Sequence, residues 1–182
     1  SKYAIAVTSC TAGLHIACKA LGFNKNSTLL TSSISFVSSA NIAHFLGGKS
    51  QFVDIENDNS ISFDLVDLEK KIKKFRPLIV IPVHMGGVSF NHEKLKKLSL
   101  KYNFKIVEDA AHSFGGNYNE NFKIGSCKYS ELTVFSFHPV KTITTGEGGV
   151  VTTNDKSLYR KLLRLRSHGI NKLDDTPLIK KQ

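Results

Sequence analysis

The sequence lacks the features that mark membrane, secreted and repetitive proteins. Among its 182 residues, no continuous apolar run approaches the roughly 18 to 20 residues of a membrane-spanning helix. The first residues contain no apolar signal core followed by a small-residue cleavage site. No internal repeat or low-complexity segment is visible. We therefore expect a globular, cytoplasmic protein with no membrane partner.

Cysteine is also scarce. The three cysteines, Cys10, Cys18 and Cys127, are odd in number and show neither Cys-x-x-Cys nor Cys/His ligand spacing. This pattern argues against a disulfide framework and against a zinc site. We predict reduced, structural thiols and no bound metal.

Positive charge, in contrast, is plentiful. A formal net charge of +10 would suit a partner with phosphates, such as nucleic acid, a membrane surface or a nucleotide-linked substrate. Much of the charge falls on predicted helices at residues 65–75, 92–102 and 155–167, where a solvated helix face is the commoner explanation. No zinc-finger spacing or aromatic RNA-binding signature is present, so we predict no nucleic-acid partner.

Strand and helix patterns alternate along the chain. The length and the 41% hydrophobic content allow a substantial core. The patterns predict strands at residues 3–7, 28–32, 51–55, 78–83, 104–107, 132–137 and 149–153, and helices at 14–21, 36–46, 65–75, 92–102 and 155–167. Residues 56–63 suggest a polar loop, and residues 113–127 a loop or short hairpin. The alternation is typical of an α/β three-layer sandwich with a mostly parallel central sheet.

Three polar features follow directly after predicted strands, where ligands gather in parallel sheets. A small turn around Thr11 leads from the first strand into a helix, and it either binds an anion or merely caps the helix. Asp109 follows the strand at 104–107 and could be a simple turn residue. Ser136 and Lys141 lie at and just beyond the end of the strand at 132–137.

Taken together, these features suit a pyridine-ring cofactor. A lysine nucleophile needs a carbonyl to attack, and such a cofactor supplies one. Asp109 could keep the ring nitrogen protonated, while a helix N-terminus and a serine hydroxyl hold a phosphate. Phe36 could stack on the ring or belong to the core. Lys141 is therefore the leading catalytic candidate, although alone it would be an ordinary loop lysine.

Five segments, in order, carry a resemblance to a known family. They are residues 8–13 (TSCTAG), 33–41 (SISFVSSAN), 107–115 (VEDAAHSFG), 136–149 (SFHPVKTITTGEGG) and 166–169 (RSHG). The chain resembles the DegT/DnrJ-type sugar-nucleotide aminotransferases, which are fold-type I enzymes dependent on pyridoxal 5'-phosphate. The last two segments look most like the pseudaminic-acid-type C4 transaminases.

The resemblance implies the roles of the reacting residues. Lys141 would bond covalently to the cofactor and then carry a proton between cofactor and substrate. Asp109 would pair with the ring nitrogen. His112 would lie near the ring or its phenolic oxygen, the alternative being a hydrogen-bonded structural histidine.

The resemblance also implies which residues hold the cofactor in place. The backbone at Cys10 and Thr11, together with Ser136, would bind the phosphate, although Ser136 could be a mere strand-end hydroxyl. Phe36 would stack on the ring. Two departures from the family pattern concern substrate fit: Cys10 stands where a small alcohol or glycine is more usual, and residues 85–87 lack the aromatic residue often found there.

The activity implied by the resemblance is amino transfer, usually from glutamate, to a keto group, commonly at C4, of a nucleotide-linked deoxysugar. Family members form homodimers whose active sites borrow residues from the partner subunit. Two alternatives are a catalytically silent protein that binds the cofactor and acts in assembly or regulation, and a sugar dehydratase relative. Because the dehydratases replace the lysine with histidine, Lys141 favours transamination.

Family members are longer than this chain. The resemblance implies that residues 1–170 form the cofactor-binding large domain without its N-terminal segment. Residues 171–182 would be the truncated start of the connection to a missing C-terminal small domain, which would help to close the site and form the substrate pocket.

Overall fold

A computed structural model describes residues 1–57 and 59–170, so the predicted connection at 171–182 lies outside the described residues. The strands are β1 (Tyr3–Val7), β2 (Thr28–Ser32), β3 (Lys49–Val53), β4 (Ile55–Asn57), β5 (Ser60–Phe63), β6 (Ile79–Ile81), β7 (Lys105–Asp109), β8 (Asn117–Asn119), β9 (Phe122–Lys123), β10 (Leu132–Ser136) and β11 (Gly149–Thr153). The helices are α1 (Cys10–Ala20), α2 (Ser38–Phe45), α3 (Leu65–Phe75), α4 (His92–Tyr102) and α5 (Lys156–Arg166). Among the described residues, none of the helices combines the length and the hydropathy that a membrane span requires.

Seven of the strands form one central sheet in the order β1-β11-β10-β7-β6-β2-β3. The strands β10, β7, β6, β2 and β3 pair in parallel. β11 runs antiparallel to both of its neighbours, so β1 shares the direction of β10. This arrangement confirms the mostly parallel α/β fold predicted from the sequence.

Helices cover both faces of the sheet and complete three layers. On one face α1 packs against α2 and α5, over a core that includes Leu14, Val107 and Leu162. On the other face α3 packs against α4, over a core that includes Leu68 and Ile106. Because side chains alternate across a strand, Ile106 and Val107 of β7 enter different cores.

Local sequence explains where most of the helices begin. Ser9, Asp64, Asn91 and Asp155 each accept a hydrogen bond from a backbone N–H in the first turn of α1, α3, α4 and α5, respectively. Side chains of this kind satisfy N–H groups that have no partner within the helix. These caps fix the ends of the helices relative to the sheet.

Two glycines let α1 approach the sheet closely. A Cβ atom at Gly13 would lie 2.7 Å from Cγ1 of Val134, and one at Gly149 would lie 2.9 Å from the backbone nitrogen of Cys10. Both distances are well below van der Waals contact, so neither position has room for a side chain. The close packing brings the N-terminus of α1 against the ends of β10 and β11.

Several predicted boundaries were wrong. The helix expected at 36–46 is Ser38–Phe45, so it begins after Phe36. The strand expected at 51–55 is Lys49–Val53, and the one expected at 78–83 is only Ile79–Ile81. Residues 56–63 were expected to be a loop, but β4 and β5 pair antiparallel. Asn, Glu and Ser dominate this hairpin and give little strand propensity.

Candidate active site

A cavity of about 270 Å³ opens at the carboxyl ends of the parallel strands. Its walls include every site residue predicted from the sequence, namely Cys10, Thr11, Phe36, Asp109, His112, Ser136 and Lys141. They meet because loops that follow parallel strands emerge at the same edge of a sheet. The structure therefore brings the predicted residues together, and their individual roles stay predictions.

The loop between β10 and β11 carries Lys141 over the strand ends. The carbonyl of Phe137 accepts hydrogen bonds from Thr144 Oγ1 (3.0 Å) and from the Thr145 N–H (3.1 Å). The Lys141 N–H donates to the His138 carbonyl (3.0 Å) and closes a tight turn. These threonines and this turn explain why small, polar residues surround the lysine in the sequence.

His112 contacts the lysine directly. Its Nε2 atom lies 2.7 Å from Lys141 Nζ, and its Nδ1 atom accepts a hydrogen bond from the Gly86 N–H (3.1 Å). Burial and the positive charge of Lys141 lower the pKa of His112. The backbone at Gly86 thus orients the ring so that Nε2 faces the lysine.

Asp109, at the end of β7, is 2% exposed and belongs to the cavity wall. Its Oδ2 accepts a hydrogen bond from Ser39 Oγ (2.6 Å). Its Oδ1 accepts from Cys10 Sγ (3.7 Å) and from the Ala111 N–H (3.2 Å). Burial and the neighbouring carboxylate raise the pKa of the Cys10 thiol, so the thiol keeps the proton that it donates.

The N-terminus of α1 forms another wall of the cavity. Ser9 caps the helix by accepting a hydrogen bond from the Ala12 N–H (3.1 Å), and Cys10 and Thr11 form the first turn. N–H groups of a first turn and the helix dipole favour an anion. Ser136 ends β10 at the same cavity and is 6% exposed. This part of the cavity has the chemistry of a phosphate site.

Phe36 occupies the mouth of the cavity. Its side chain is 66% exposed, so the alternative that it belongs to the core is wrong. It lies in the segment between β2 and α2, two residues before the helix begins. An aromatic ring at the mouth can cover a flat ligand from one side.

Behind the cavity, Glu108 centres a buried polar network. Its Oε2 accepts a hydrogen bond from His84 Nε2 (2.8 Å), and its Oε1 accepts from the Tyr118 hydroxyl (2.7 Å). Burial alone would raise the pKa of Glu108, but the hydrogen bond and charge of His84 outweigh it and lower the pKa. Ligating atoms of His84, His92 and Glu108 lie within 4.8 Å of one another; the two nearest are already joined by the hydrogen bond.

Several residues that the structure connects to the cavity had no role assigned from the sequence. Ser39 bonds to Asp109, whereas His84 and Glu147 belong to the cavity wall. Ser39 lies within the 33–41 segment that carries the resemblance, which was the available signal. A serine at a helix start is usually a cap, so its contact with a distant carboxylate could not be predicted from position alone.

A second, larger groove of about 1120 Å³ lies at the opposite edge of the sheet, next to the start of β2. Lys73, Arg76 and Lys101 line it. It contains none of the predicted site residues. Its size therefore does not make it the better candidate, since the chemically suited side chains converge on the smaller cavity.

Comparison with known proteins supports the resemblance. The profile of the DegT/DnrJ/EryC1/StrS aminotransferase family matches residues 1–181. The UDP-4-amino-4,6-dideoxy-N-acetyl-beta-L-altrosamine transaminase of Campylobacter jejuni is 42% identical over 173 residues, which are 94% of this chain and 44% of that protein. The chain thus spans less than half the length of this relative.

Solved structures agree in fold. PseC of Helicobacter pylori, an aminotransferase involved in the biosynthesis of pseudoaminic acid, is 34% identical with a TM-score of 0.83, and the match covers 97% of this chain and 46% of that one. NtdA of Bacillus subtilis, solved with bound cofactor PMP, is 25% identical with a TM-score of 0.85, and the match covers 98% of this chain and 39% of that one. The chain belongs to the DegT/DnrJ/EryC1/StrS aminotransferase family.

Proposed function

We propose that the protein is a pyridoxal-phosphate-dependent aminotransferase that acts on a nucleotide-linked sugar. The observation that carries the proposal is the convergence of Lys141, Asp109 and the N-terminus of α1 on one cavity. The cavity volume of about 270 Å³ is near the lower end of ligand pockets, which span roughly 300–1,000 Å³. A lysine, a buried carboxylate and an anion site fit the aldehyde, the ring nitrogen and the phosphate of this cofactor.

Each residue has a distinct task in this proposal. When bound, the cofactor withdraws electrons from the carbon at which the amino group is exchanged. Lys141 would bond to the cofactor and carry a proton, and His112 would orient the Lys141 side chain through its contact with Nζ. Asp109 would hold the proton on the ring nitrogen, and Ser136 with the first turn of α1 would bind the phosphate. Phe36 would cover the ring.

The names of the relatives support a class of substrate. The Campylobacter jejuni transaminase is named for a UDP-linked 4-amino sugar, and the Helicobacter pylori enzyme takes part in pseudoaminic acid biosynthesis. We therefore propose a keto group at C4 of a nucleotide-linked deoxysugar as the amino acceptor. Glutamate as the donor and a cytoplasmic location remain predictions from the sequence.

We also propose that residues 1–170 are the cofactor-binding large domain and that the protein works as a homodimer. Phe36 and Val140 flank the cavity with 66% and 77% of their surface exposed. Exposed apolar residues beside a polar site suit contact with a second subunit. A partner there would cover the mouth of the cavity.

The experiment that tests the function treats the purified whole protein with pyridoxal phosphate and then with borohydride. We expect a covalent adduct on Lys141, located by peptide mass spectrometry. Addition of glutamate before reduction should convert the yellow cofactor to its pyridoxamine spectrum. Lys141→Ala should keep the fold, because Lys141 lies in a surface loop, and should abolish the adduct.

The matched control is Lys161→Ala, since Lys161 is an exposed lysine on α5, away from the cavity. This variant should still form the adduct. A reducible adduct on another lysine would contradict the role of Lys141. An adduct on Lys141 without any change on addition of glutamate would favour a silent cofactor-binding protein.

A further inference from the structure

Ser39 is a buried hydroxyl next to the candidate site. It is fully buried in the first turn of α2, and it comes from a different part of the chain than Asp109, which ends β7. Its Oγ–H donates to Oδ2 of Asp109 at 2.6 Å. Hydrogen bonds to an ionised carboxylate are shorter and stronger than neutral ones. The short distance between Ser39 Oγ and Asp109 Oδ2 is therefore expected for an ionised carboxylate as the acceptor.

The other two donors to Asp109 both bond to Oδ1, and one of them is weak. The Cys10 thiol is 3.7 Å from Oδ1, and thiols are weak donors. The Ala111 N–H donates to the same oxygen at 3.2 Å. Oδ2 thus has Ser39 as its one protein donor among the described residues. Without it, only contacts to Oδ1 would restrain the rotation of the carboxylate.

We propose that Ser39 is a positioning residue, which fixes the plane of the Asp109 carboxylate for contact with the ring nitrogen of the cofactor. The inference rests on the proposed function. An ionised carboxylate oxygen has two lone pairs, so the oxygen that accepts from Ser39 can accept a second proton donor from the cavity. Ser39 acts only through Asp109 and, being fully buried, does not touch the ligand.

This role predicts a dependence on the ring nitrogen. If Ser39 positions Asp109, its loss should weaken binding of pyridoxal phosphate. It should not weaken binding of an analogue whose ring nitrogen is replaced by carbon, because that analogue offers Asp109 no proton. A merely structural serine would affect both ligands equally.

The test measures dissociation constants of the two ligands for the whole protein and its Ser39→Ala variant. We expect roughly tenfold weaker binding of pyridoxal phosphate, the scale of a lost hydrogen bond to a charged group, and less than about a twofold change for the analogue. Ser39→Thr, which keeps the hydroxyl, should restore most of the affinity. Thermal unfolding of each variant verifies that it is folded.

Ser99→Ala is the matched control. Ser99 is also a buried helix serine, and its Oγ donates to the Phe104 carbonyl (2.8 Å), far from the cavity. It should change the affinity for neither ligand. Equal losses for both ligands in Ser39→Ala, or no loss for either, would overturn the positioning role.

The two proposals fail in different ways. If the unaltered protein forms the borohydride-stable adduct on Lys141 but Ser39→Ala does not discriminate between the ligands, only the role of Ser39 falls. If the unaltered protein binds no pyridoxal phosphate, the proposed function falls and the role of Ser39 with it.

Discussion

Glu108 and Asp109 follow each other at the end of β7, and their carboxylates lie on opposite faces of the sheet. They are 1% and 2% exposed, respectively. Glu108 points toward the layer of α3 and α4, where His84 and Tyr118 donate to it. Asp109 points toward α1 and α2, where Cys10 and Ser39 donate to it. The two-residue period of a strand produces this separation.

The two environments differ in what remains accessible. Glu108 is enclosed by protein, and the groups that face it include two histidine rings, a phenol and the hydroxyl of Ser130. Asp109 forms part of a cavity wall, so a ligand can reach it. The end of β7 thus supplies two carboxylates with different environments. Glu108 bonds to buried side chains of the protein, whereas Asp109 is placed to bind a ligand. Stability should depend mainly on Glu108, and ligand binding on Asp109.

The largest expected effect is that of Glu108→Ala on stability. The change leaves the His84 and Tyr118 donors buried without their acceptor and opens a small cavity. Each buried donor left without its partner costs about 1–3 kcal/mol, and Glu108→Ala removes the acceptor of two such donors. Urea unfolding should show a loss of this size in the free energy of unfolding.

Glu108→Gln is the control, since it keeps the shape and one acceptor oxygen. It should lose clearly less stability than Glu108→Ala. A loss below about 1 kcal/mol for Glu108→Ala would mean that water or rearranged side chains can satisfy the network, against the cost expected of an unpaired buried group.

The next effect is loss of stability in acid. Burial lowers the pKa of His92 from 6.5 to about 4, although the nearby Glu108 partly opposes the shift. The unfolded chain therefore binds a proton at higher pH than the folded chain. The contribution of neutral His92 to the free energy of unfolding is complete above pH 6.5. It is lost as the pH falls from about 6.5 to 4, and it amounts to about 3 kcal/mol.

Glu108 acts in the same direction at lower pH. Its folded pKa lies below 4.5, so its contribution is present above that value and is lost as the pH falls through the folded pKa. Urea unfolding between pH 7.5 and 4.5 should show the decline, and His92→Gln should reduce its slope. An equal slope in the variant would show that His92 is not the group that titrates.

Much of the fold could be predicted because the patterns were local. The buried runs of β2 and β10, the capped start of α3 at Asp64 and its apolar face at Leu68 and Ile72 all follow from short-range rules. The β4–β5 hairpin could not be predicted, because its mostly polar residues give little strand propensity and their antiparallel pairing leaves no local pattern in the sequence.

The sequence predicted which residues belong to the site, but not the hydrogen bonds that connect them. Position after a strand was enough to place Asp109 and Ser136 at one edge. The partners of Asp109 arrive from α1 and α2, and no sequence spacing connects them. Similarly, the hydrogen bond from Gly86 to His112 depends on the turn at Met85–Gly87. The sequence predicted that the strand before this turn extends to residue 83, whereas β6 ends at Ile81.

The smallest expected effect on stability, and the sharpest contrast with Glu108, is that of Asp109→Asn. Asparagine keeps the size of the side chain and an acceptor for Ser39, and cavity water can reach its amide. We expect a loss of about 1 kcal/mol or less in the free energy of unfolding, the scale of one ordinary hydrogen bond.

The affinity of Asp109→Asn for pyridoxal phosphate should nevertheless fall more than that of Glu108→Gln, because only Asp109 faces the cavity. The two variants, compared by urea unfolding and by ligand titration, should therefore rank in opposite orders. The same order in both measurements would show that the two carboxylates do not divide structure and binding between them.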